Sequence, residues 1–161
     1  RRNGFELGWQ HETADHWRTQ LAYTWLDATY RDAFCSPSPC GTGNAVAAGN
    51  RIPGIAKQSL FASLGWVPPE GWRAGAEVRA LGRILANDVN TAVASGYAVA
   101  AVYAGYLKKW ERWEFNAFAR VDNLFDRRYV GSVIVNEGNS RFYEPALGRN
   151  WTVGLSGAYR F

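Results

Sequence analysis

Apolar side chains recur at every second position through most of this chain. In residues 15–30 one alternate set is mostly apolar and the other mostly polar: Trp17, Thr19, Leu21, Tyr23 and Trp25 against Arg18, Gln20, Ala22 and Thr24. A period of two is that of a β-strand whose two faces differ. The pattern predicts about seven strands and no helix, within residues 5–10, 15–30, 59–66, 72–80, 97–107, 113–122 and 151–161. An all-β, antiparallel fold follows.

The alternation also assigns each side chain to a face. In the strand predicted over 97–107, the apolar face is assigned Tyr97, Val99, Ala101, Tyr103 and Leu107. The opposite, polar face is predicted to carry Arg18, Arg73, Glu77, Arg79, Asn116, Arg120 and Asp122. Apolar faces that meet inside a protein form a β-sandwich, whereas apolar faces that contact hydrocarbon form a membrane barrel.

The predicted connections alternate between short and long. Short connections lie at 12–14, 68–71 and 108–112, and long ones at 31–57, 86–96 and 123–150. In outer-membrane barrels the periplasmic turns are short and the cell-surface loops are long. A soluble β-sandwich remains an alternative, but nothing in that architecture requires all long loops to lie at one end. We therefore predict an antiparallel transmembrane β-barrel.

Composition restricts the class further. The longest nearly apolar run, residues 97–107, is too short for a transmembrane helix. The net charge of +4 comes without a basic run interleaved with aromatics, so no nucleic-acid partner is expected. Aromatic side chains fall near strand ends, as in membrane-interface girdles. They are Trp9, Trp17, Trp66, Trp72, Trp110, Trp113, Tyr159 and Phe161 at the short-turn end, and Trp25, Tyr97 and Trp151 at the long-loop end.

The strand count predicts a larger barrel than this chain can form. If Phe161 ends at the periplasmic rim, seven strands place Arg1 at the surface rim. Bacterial single-chain barrels have an even number of strands, and an open sheet edge in lipid leaves backbone polar groups unpaired. We therefore expect residues 1–161 to be a C-terminal portion of a longer barrel.

Three segments resemble a known family. Residues 119–129, Ala-Arg-Val-Asp-Asn-Leu-Phe-Asp-Arg-Arg-Tyr, are similar to a motif near the end of TonB-dependent outer-membrane receptors. Residues 144–151, Glu-Pro-Ala-Leu-Gly-Arg-Asn-Trp, resemble the stretch that leads into the family's last strand, and residues 51–55 resemble an Arg-x-Pro stretch before a membrane strand. The motifs stand in the family's order.

The resemblance implies a function and a location. It implies TonB-dependent uptake of a ferric siderophore across the bacterial outer membrane, with a plug domain that is absent from these residues. The partners implied are a TonB-type energy-coupling protein acting through the plug, outer-membrane lipid and lipopolysaccharide. Two alternatives remain: uptake of cobalamin, haem, copper or a glycan, or a small structural or adhesive barrel without active transport.

The surface loops hold the candidate ligand-binding residues. Arginine supplies planar charge-assisted hydrogen bonds and aromatic rings supply stacking, which suit an anionic siderophore with planar groups. The candidates flank the last long loop and are Arg127, Arg128, Tyr129, Arg141, Phe142 and Tyr143. The alternative is that these arginines bind lipopolysaccharide phosphates or pair with Asp126, Glu137 and Glu144.

No catalytic or metal site is expected. His11 and His16, the two histidines, lack partners at useful spacing beside a predicted short turn, so we expect no enzyme activity and no cofactor. Cys35 and Cys40 enclose two prolines in the longest surface loop. An oxidising location favours a disulfide between them; a copper- or zinc-binding pair is the alternative.

The last strand carries a further resemblance. Apolar or aromatic residues at alternate positions up to a terminal Phe resemble the signal that the barrel-assembly machinery reads. Val153, Leu155, Tyr159 and Phe161 fit this pattern. Simple lipid contact by the same face is compatible with that role.

Overall fold

The computed structural model describes all of residues 1–161, which form strands, turns and loops. In chain order the strands are β1 (Arg2–Glu12), β2 (Trp17–Ala28), β3 (Phe34–Cys35), β4 (Ala45–Val46), β5 (Gln58–Trp66), β6 (Gly71–Leu81), β7 (Ile84–Leu85), β8 (Val93–Ala94), β9 (Tyr97–Trp110), β10 (Trp113–Asp122), β11 (Val130–Val133), β12 (Tyr143–Pro145) and β13 (Asn150–Tyr159). None of the chain forms a helix long and apolar enough to cross a membrane. The predicted all-β class is confirmed.

Seven long strands form one antiparallel sheet in the order β1-β2-β5-β6-β9-β10-β13. Each long strand therefore pairs with the next long strand along the chain. Turns 13–16, 67–70 and 111–112 lie at one end of the sheet. The other end carries loop A (residues 29–57), loop B (82–96) and loop C (123–149). Each loop contains a two-stranded ribbon, β3–β4, β7–β8 or β11–β12. The fold confirms the prediction that short connections lie at one end of the sheet and long connections at the other.

The pairing register joins the apolar positions of neighbouring strands into one continuous surface. One row runs across five strands through Trp9, Leu21, Ala62, Val78 and Ala100. We call this side of the sheet the outer face and the opposite side the inner face. In β6 four of the five apolar outer positions are exposed, whereas most positions of the inner face are partly covered. This is the reverse of a water-soluble sheet, and it is the arrangement of a membrane barrel wall.

The predicted face assignment was wrong in one strand, β9. Its residue Tyr103 pairs with Gly75 and Arg120, so it lies on the inner face. The same face carries the rest of the set predicted to be apolar: Tyr97, Val99, Ala101 and Leu107. The outer face of β9 is instead formed by Ala98, Ala100, Val102, Ala104 and Tyr106. Both alternate sets of β9 are apolar, so alternation alone cannot choose between them.

Tyr103 fits on the inner face because two neighbouring strands carry glycine beneath its ring. A Cβ atom at Gly75 would lie 2.5 Å from Cζ and Oη of Tyr103, and one at Gly65 would lie 2.5 Å from Oη. The ring therefore lies over β5 and β6, at positions where any other residue would collide with it. Phe118 of β10 covers Gly154 of β13 in the same way.

The aromatic side chains near the short turns lie on the outer face. Trp17 pairs with Trp66, and Trp113 pairs with both Trp110 and Tyr159. This row suits a membrane–water interface, where amphipathic rings are favoured. At the loop end Trp25 and Trp151 also lie on the outer face. Tyr97 does not, so its predicted place in the second girdle was wrong.

The small buried core is divided between the loops and the sheet. Only 13 of the 161 residues are buried, and eight of these are apolar. Half of those eight are in the loops: Val46, Leu85, Ala86 and Ala94. The sheet therefore has no thick interior of its own.

Candidate functional site

The Asn-Leu-Phe-Asp motif forms the turn at which β10 passes into loop C. The Asn123 side chain accepts a hydrogen bond from the backbone N–H of Arg127 at 2.9 Å and donates to the carbonyls of Arg127 at 2.8 Å and Leu147 at 3.3 Å. Asp126 Oδ1 accepts from the backbone N–H of Arg149 at 2.8 Å. Asn123 and Asp126 have φ of 49° and 51°, a left-handed conformation that Asn and Asp tolerate. The motif therefore joins the start of loop C to the entry of β13.

A polar cluster around Asp88 ties the three loops together; we call it the Asp88 cluster. Asp88 of loop B is 7% exposed. Its Oδ1 accepts from the hydroxyl of Tyr30 in loop A at 2.6 Å, and its Oδ2 accepts from Nδ2 of Asn136 in loop C at 2.8 Å. Asn50 of loop A donates to the Asp88 carbonyl at 3.0 Å. Because buried polar groups are costly unless they are paired, this cluster favours one arrangement of all three loops.

A second contact links loops A and B. The Asn90 side chain accepts from the backbone N–H of Arg51 and donates to the Arg51 carbonyl, each at 2.8 Å. Asn90 thus pairs with the loop A backbone as a β-ladder residue would. Loops A and B are therefore joined through two nearby residues of loop B, Asp88 and Asn90.

The phenol of Tyr30 is expected to ionise at a higher pH than an ordinary tyrosine. Burial and the hydrogen bond to Asp88 raise the pKa of Tyr30 to about 12. Since the folded pKa exceeds the usual value of about 10, the interaction stabilises the loops fully below pH 10 and is lost as the pH rises towards 12. Subtracting the ultraviolet titration of Tyr30→Phe from that of the wild-type protein should leave one phenol that ionises near pH 12; ionisation of that phenol near pH 10 would contradict the cluster.

The inner face carries a cluster of charged side chains below loop C. Arg120 donates to both carboxylate oxygens of Glu77, at 3.0 and 2.8 Å, and to Asp122 at 2.9 Å. Arg79 lies 3.7 Å from Glu77, and its guanidinium lies 5.8 Å from the centre of the Phe61 ring. Two-point pairing of guanidinium and carboxylate fixes both groups geometrically. The cluster contains two arginines and two carboxylates, so it is balanced in charge.

An open cavity of about 300 Å³ lies between this charged cluster and loop C. The rings of Tyr97 and Tyr129 form one wall, with centres 4.1 Å apart. Arg79, Arg120 and Glu77 are also among its lining residues. Glu77 and Asp122, which also line the cavity, already pair with Arg120, whereas the guanidinium of Arg79 is exposed. Two phenol rings beside an exposed guanidinium suit a planar ligand that carries an anionic group.

The six predicted ligand-binding residues do not share one pocket. Tyr129 lines the cavity on the inner face, whereas Phe142 lines a smaller cavity of about 230 Å³ beside Asp88. Tyr143 lies next to Phe142 in β12 and is exposed. Arg127, Arg128 and Arg141 are exposed, and none forms an ion pair with Asp126, Glu137 or Glu144. These three guanidinium groups are therefore free to meet a ligand or a lipopolysaccharide phosphate.

Sequence reasoning missed Tyr30, Asp88 and Asn136, and it placed Tyr97 on the wrong face. The three polar residues come from three different loops, 48 and 58 positions apart along the chain. The available signal was local: loop B contains the turn-forming run Asn87-Asp88-Val89-Asn90. That run predicts a tight turn, but it does not reveal which other loops the turn contacts.

Cys35 and Cys40 form a disulfide at the tip of loop A, with their Cα atoms 5.1 Å apart. The Asn44 side chain accepts from the backbone N–H of Gly41 at 2.7 Å and donates to the Pro37 carbonyl at 2.7 Å. The tip is therefore closed by a covalent bond and by the Asn44 side chain, which bridges Pro37 and Gly41. Neither sulfur is available to a metal in this state.

The last strand presents its apolar residues outward. Val153 and Leu155 lie on the outer face beside Ala119 and Ala117 of β10, and both are exposed. Tyr159 lies on the same face, and its ring contacts those of Trp113 and Phe161. One edge of β13 pairs with β10 and the other is open.

Comparison with known families identifies the class of protein. The family model described as TonB dependent receptor-like, beta-barrel matches residues 1–124. This is most of the chain, and the chain belongs to that family. Its members are proteins of the outer membrane of Gram-negative bacteria. The outer face defined above therefore contacts membrane lipid.

Solved structures share the fold. The siderophore receptor PiuA from Acinetobacter baumannii matches with a TM-score of 0.76 and 23% identity, over 97% of this chain and 21% of its own. BauA, the ferric preacinetobactin receptor of the same organism, matches at 0.74 and 18%, over 97% and 22%. The copper transporter OprC matches at 0.62 and 19%, over 98% and 23%. The chain spans about a fifth of the length of these proteins.

Proposed function

We propose that this chain is part of the barrel wall of a TonB-dependent receptor that takes up a ferric siderophore. The observation that carries the proposal is the cavity on the inner face, where the rings of Tyr97 and Tyr129 lie near the exposed guanidinium of Arg79. It lies beneath loops that are tied together by buried polar contacts. The names of PiuA and BauA, two structures that share the fold, support the same substrate class. The role is binding and transport, without catalysis.

The other partners belong to the same proposal. Residues 1–161 form the C-terminal portion of the barrel. A plug domain elsewhere in the receptor interacts with a TonB-type energy-coupling protein. The exposed outward row Val153, Leu155, Tyr159 and Phe161 serves as the signal for the barrel-assembly machinery. Lipopolysaccharide borders the loop end of the outer face.

Copper uptake is the alternative that the match to OprC raises. Copper in proteins favours thiolate, thioether and imidazole ligands. The chain has no methionine, both cysteines are in the disulfide, and the two histidines lie at the short-turn end. The loop end of this wall therefore offers no soft ligand, and a copper site would have to be formed by the rest of the receptor.

Arginine substitutions in loop C test the proposal. The complete receptor in outer-membrane vesicles should bind an anionic ferric tris-catecholate, and Arg128→Ala and Arg141→Ala should each raise Kd about tenfold through loss of a charge-assisted hydrogen bond. Arg112→Ala, in the turn at the opposite end, is the matched control and should leave Kd unchanged. Titration with the iron complex gives Kd directly. Unchanged affinity in both loop variants would remove these residues from the site, and absence of binding would exclude tris-catecholates as the substrate.

A further inference from the structure

A groove of about 390 Å³ runs along the outer face near the short-turn end of β9, β10 and β13. Two rows of paired residues line it. One row is Lys108, Phe115 and Gly157, and the other is Tyr106, Ala117 and Leu155. The small residues Ala117 and Gly157 form its floor, and the larger side chains form its walls. The groove is open along its length and almost entirely apolar, so it matches a lipid acyl chain in shape and polarity.

Lys108 stands at the mouth of this groove on the face that contacts lipid. Its Nζ donates to Oε1 of Glu70 at 2.9 Å, and both side chains are about half exposed, at 56% and 43%. Glu70 belongs to turn 67–70, just beyond the membrane-spanning strands. The hydrogen bond from Lys108 holds the pKa of Glu70 below its usual range, so the carboxylate stays ionised. A long lysine stem can lie along apolar surface while its ammonium group stays at the interface.

We propose that this groove is a binding site for a zwitterionic phospholipid of the periplasmic leaflet, phosphatidylethanolamine in chemical class. One acyl chain lies over Ala117 and Gly157 between Phe115 and Leu155. The lipid phosphate accepts from Lys108, and the lipid ammonium donates to Glu70.

Charge complementarity selects this head group over the other common ones. The Lys108–Glu70 pair presents one cation and one anion side by side, which matches a head group that carries a phosphate and a primary ammonium. A purely anionic head group meets the repulsion of Glu70 at short range. A phosphatidylcholine head group has no N–H with which to donate to Glu70, so it forfeits a charge-assisted hydrogen bond.

Four proteins test the site: the complete receptor, Lys108→Gln, Gly157→Leu and the control Lys109→Gln. Lys109 is adjacent to Lys108 but lies on the inner face, where it pairs with Glu114 in the register. Gly157→Leu fills the groove without breaking the sheet, because an added Cβ would meet only ring carbons of Phe115, at an ordinary 3.7 Å. Each protein is equilibrated in vesicles of equal parts phosphatidylethanolamine, phosphatidylglycerol and phosphatidylcholine and then extracted, and retained lipid is measured by native mass spectrometry.

The wild-type receptor and Lys109→Gln should retain phosphatidylethanolamine over the other two lipids by about tenfold, the scale of one charge-assisted hydrogen bond. Lys108→Gln and Gly157→Leu should each lose that excess while their migration on gels stays that of a folded barrel. Equal retention of the three lipids by the wild type, equal retention by all four proteins, or a preference for phosphatidylglycerol would overturn the proposal. Siderophore binding is not read out, so the result stands apart from the proposed uptake function.

Discussion

Ala62→Arg should sharply reduce the stability and membrane assembly of the barrel wall, whereas Ser63→Arg should have little effect. The two positions are neighbours in the middle of β5, but they lie on opposite faces. Ala62 pairs with Leu21 and Val78 on the outer face. An arginine there places its charge in hydrocarbon, which costs about 2–4 kcal/mol near the bilayer midplane.

Ser63 is the matched control, because its partner across the strand is Glu77 on the inner face. An arginine at position 63 stays in water and gains a carboxylate neighbour. Urea unfolding of the complete receptor in lipid vesicles gives both free energies of unfolding, and surface expression gives assembly in cells. Equal losses in the two variants would mean that the faces are not separated between lipid and water as described.

Arg120→Leu should destabilise the wall by about 2 kcal/mol, the second largest effect that we expect. Arg120 makes three hydrogen bonds to two carboxylates, and its side chain and that of Glu77 are only 23% and 18% exposed. Removal of one partner leaves the other charges partly buried and uncompensated, which costs more than the pair itself contributes.

Arg79→Leu is the control for this second prediction. Arg79 shares the same carboxylate neighbour, but its side chain is 66% exposed and its nitrogen lies 3.7 Å away. Exposed ion pairs contribute little, so its free energy of unfolding should stay near that of the wild type. The double variant Arg120→Leu with Glu77→Leu should recover part of the loss, since no carboxylate of that pair remains unpaired. A loss in the double variant as large as the sum of the two single losses would show that the two residues are not coupled.

Strand alternation predicts most of this fold because one face must be apolar and the other polar. In β6 the alternation is unambiguous: Trp72, Ala74, Ala76 and Val78 oppose Arg73 and Glu77. In β9 both sets are apolar, and only the register with β6 and β10 reveals that Tyr103 faces inward. Register is a property of strand pairs, so it cannot be obtained from one strand alone.

The arrangement of the loops could be predicted far less well. The Asn123–Asp126 segment was recognised only through its resemblance to a family motif, and the structure shows that it forms a turn. The Asp88 cluster depends on contacts between residues 48 and 58 positions apart, for which no local pattern exists. The sequence identified the arginines of loop C as candidates, but it could not predict that they lie on different parts of the loop surface.

The outer face of the sheet contacts lipid and the inner face contacts water. The most direct measurement places a spin label in turn at Ala100 and Val99, two neighbours in β9 that the register assigns to the outer and inner face. Collision rates with oxygen, which partitions into lipid, and with a water-soluble nickel complex are then compared in membranes. Collisions with oxygen should dominate at position 100 and collisions with nickel at position 99. The reverse result, or nickel access at both positions, would contradict this assignment of the faces.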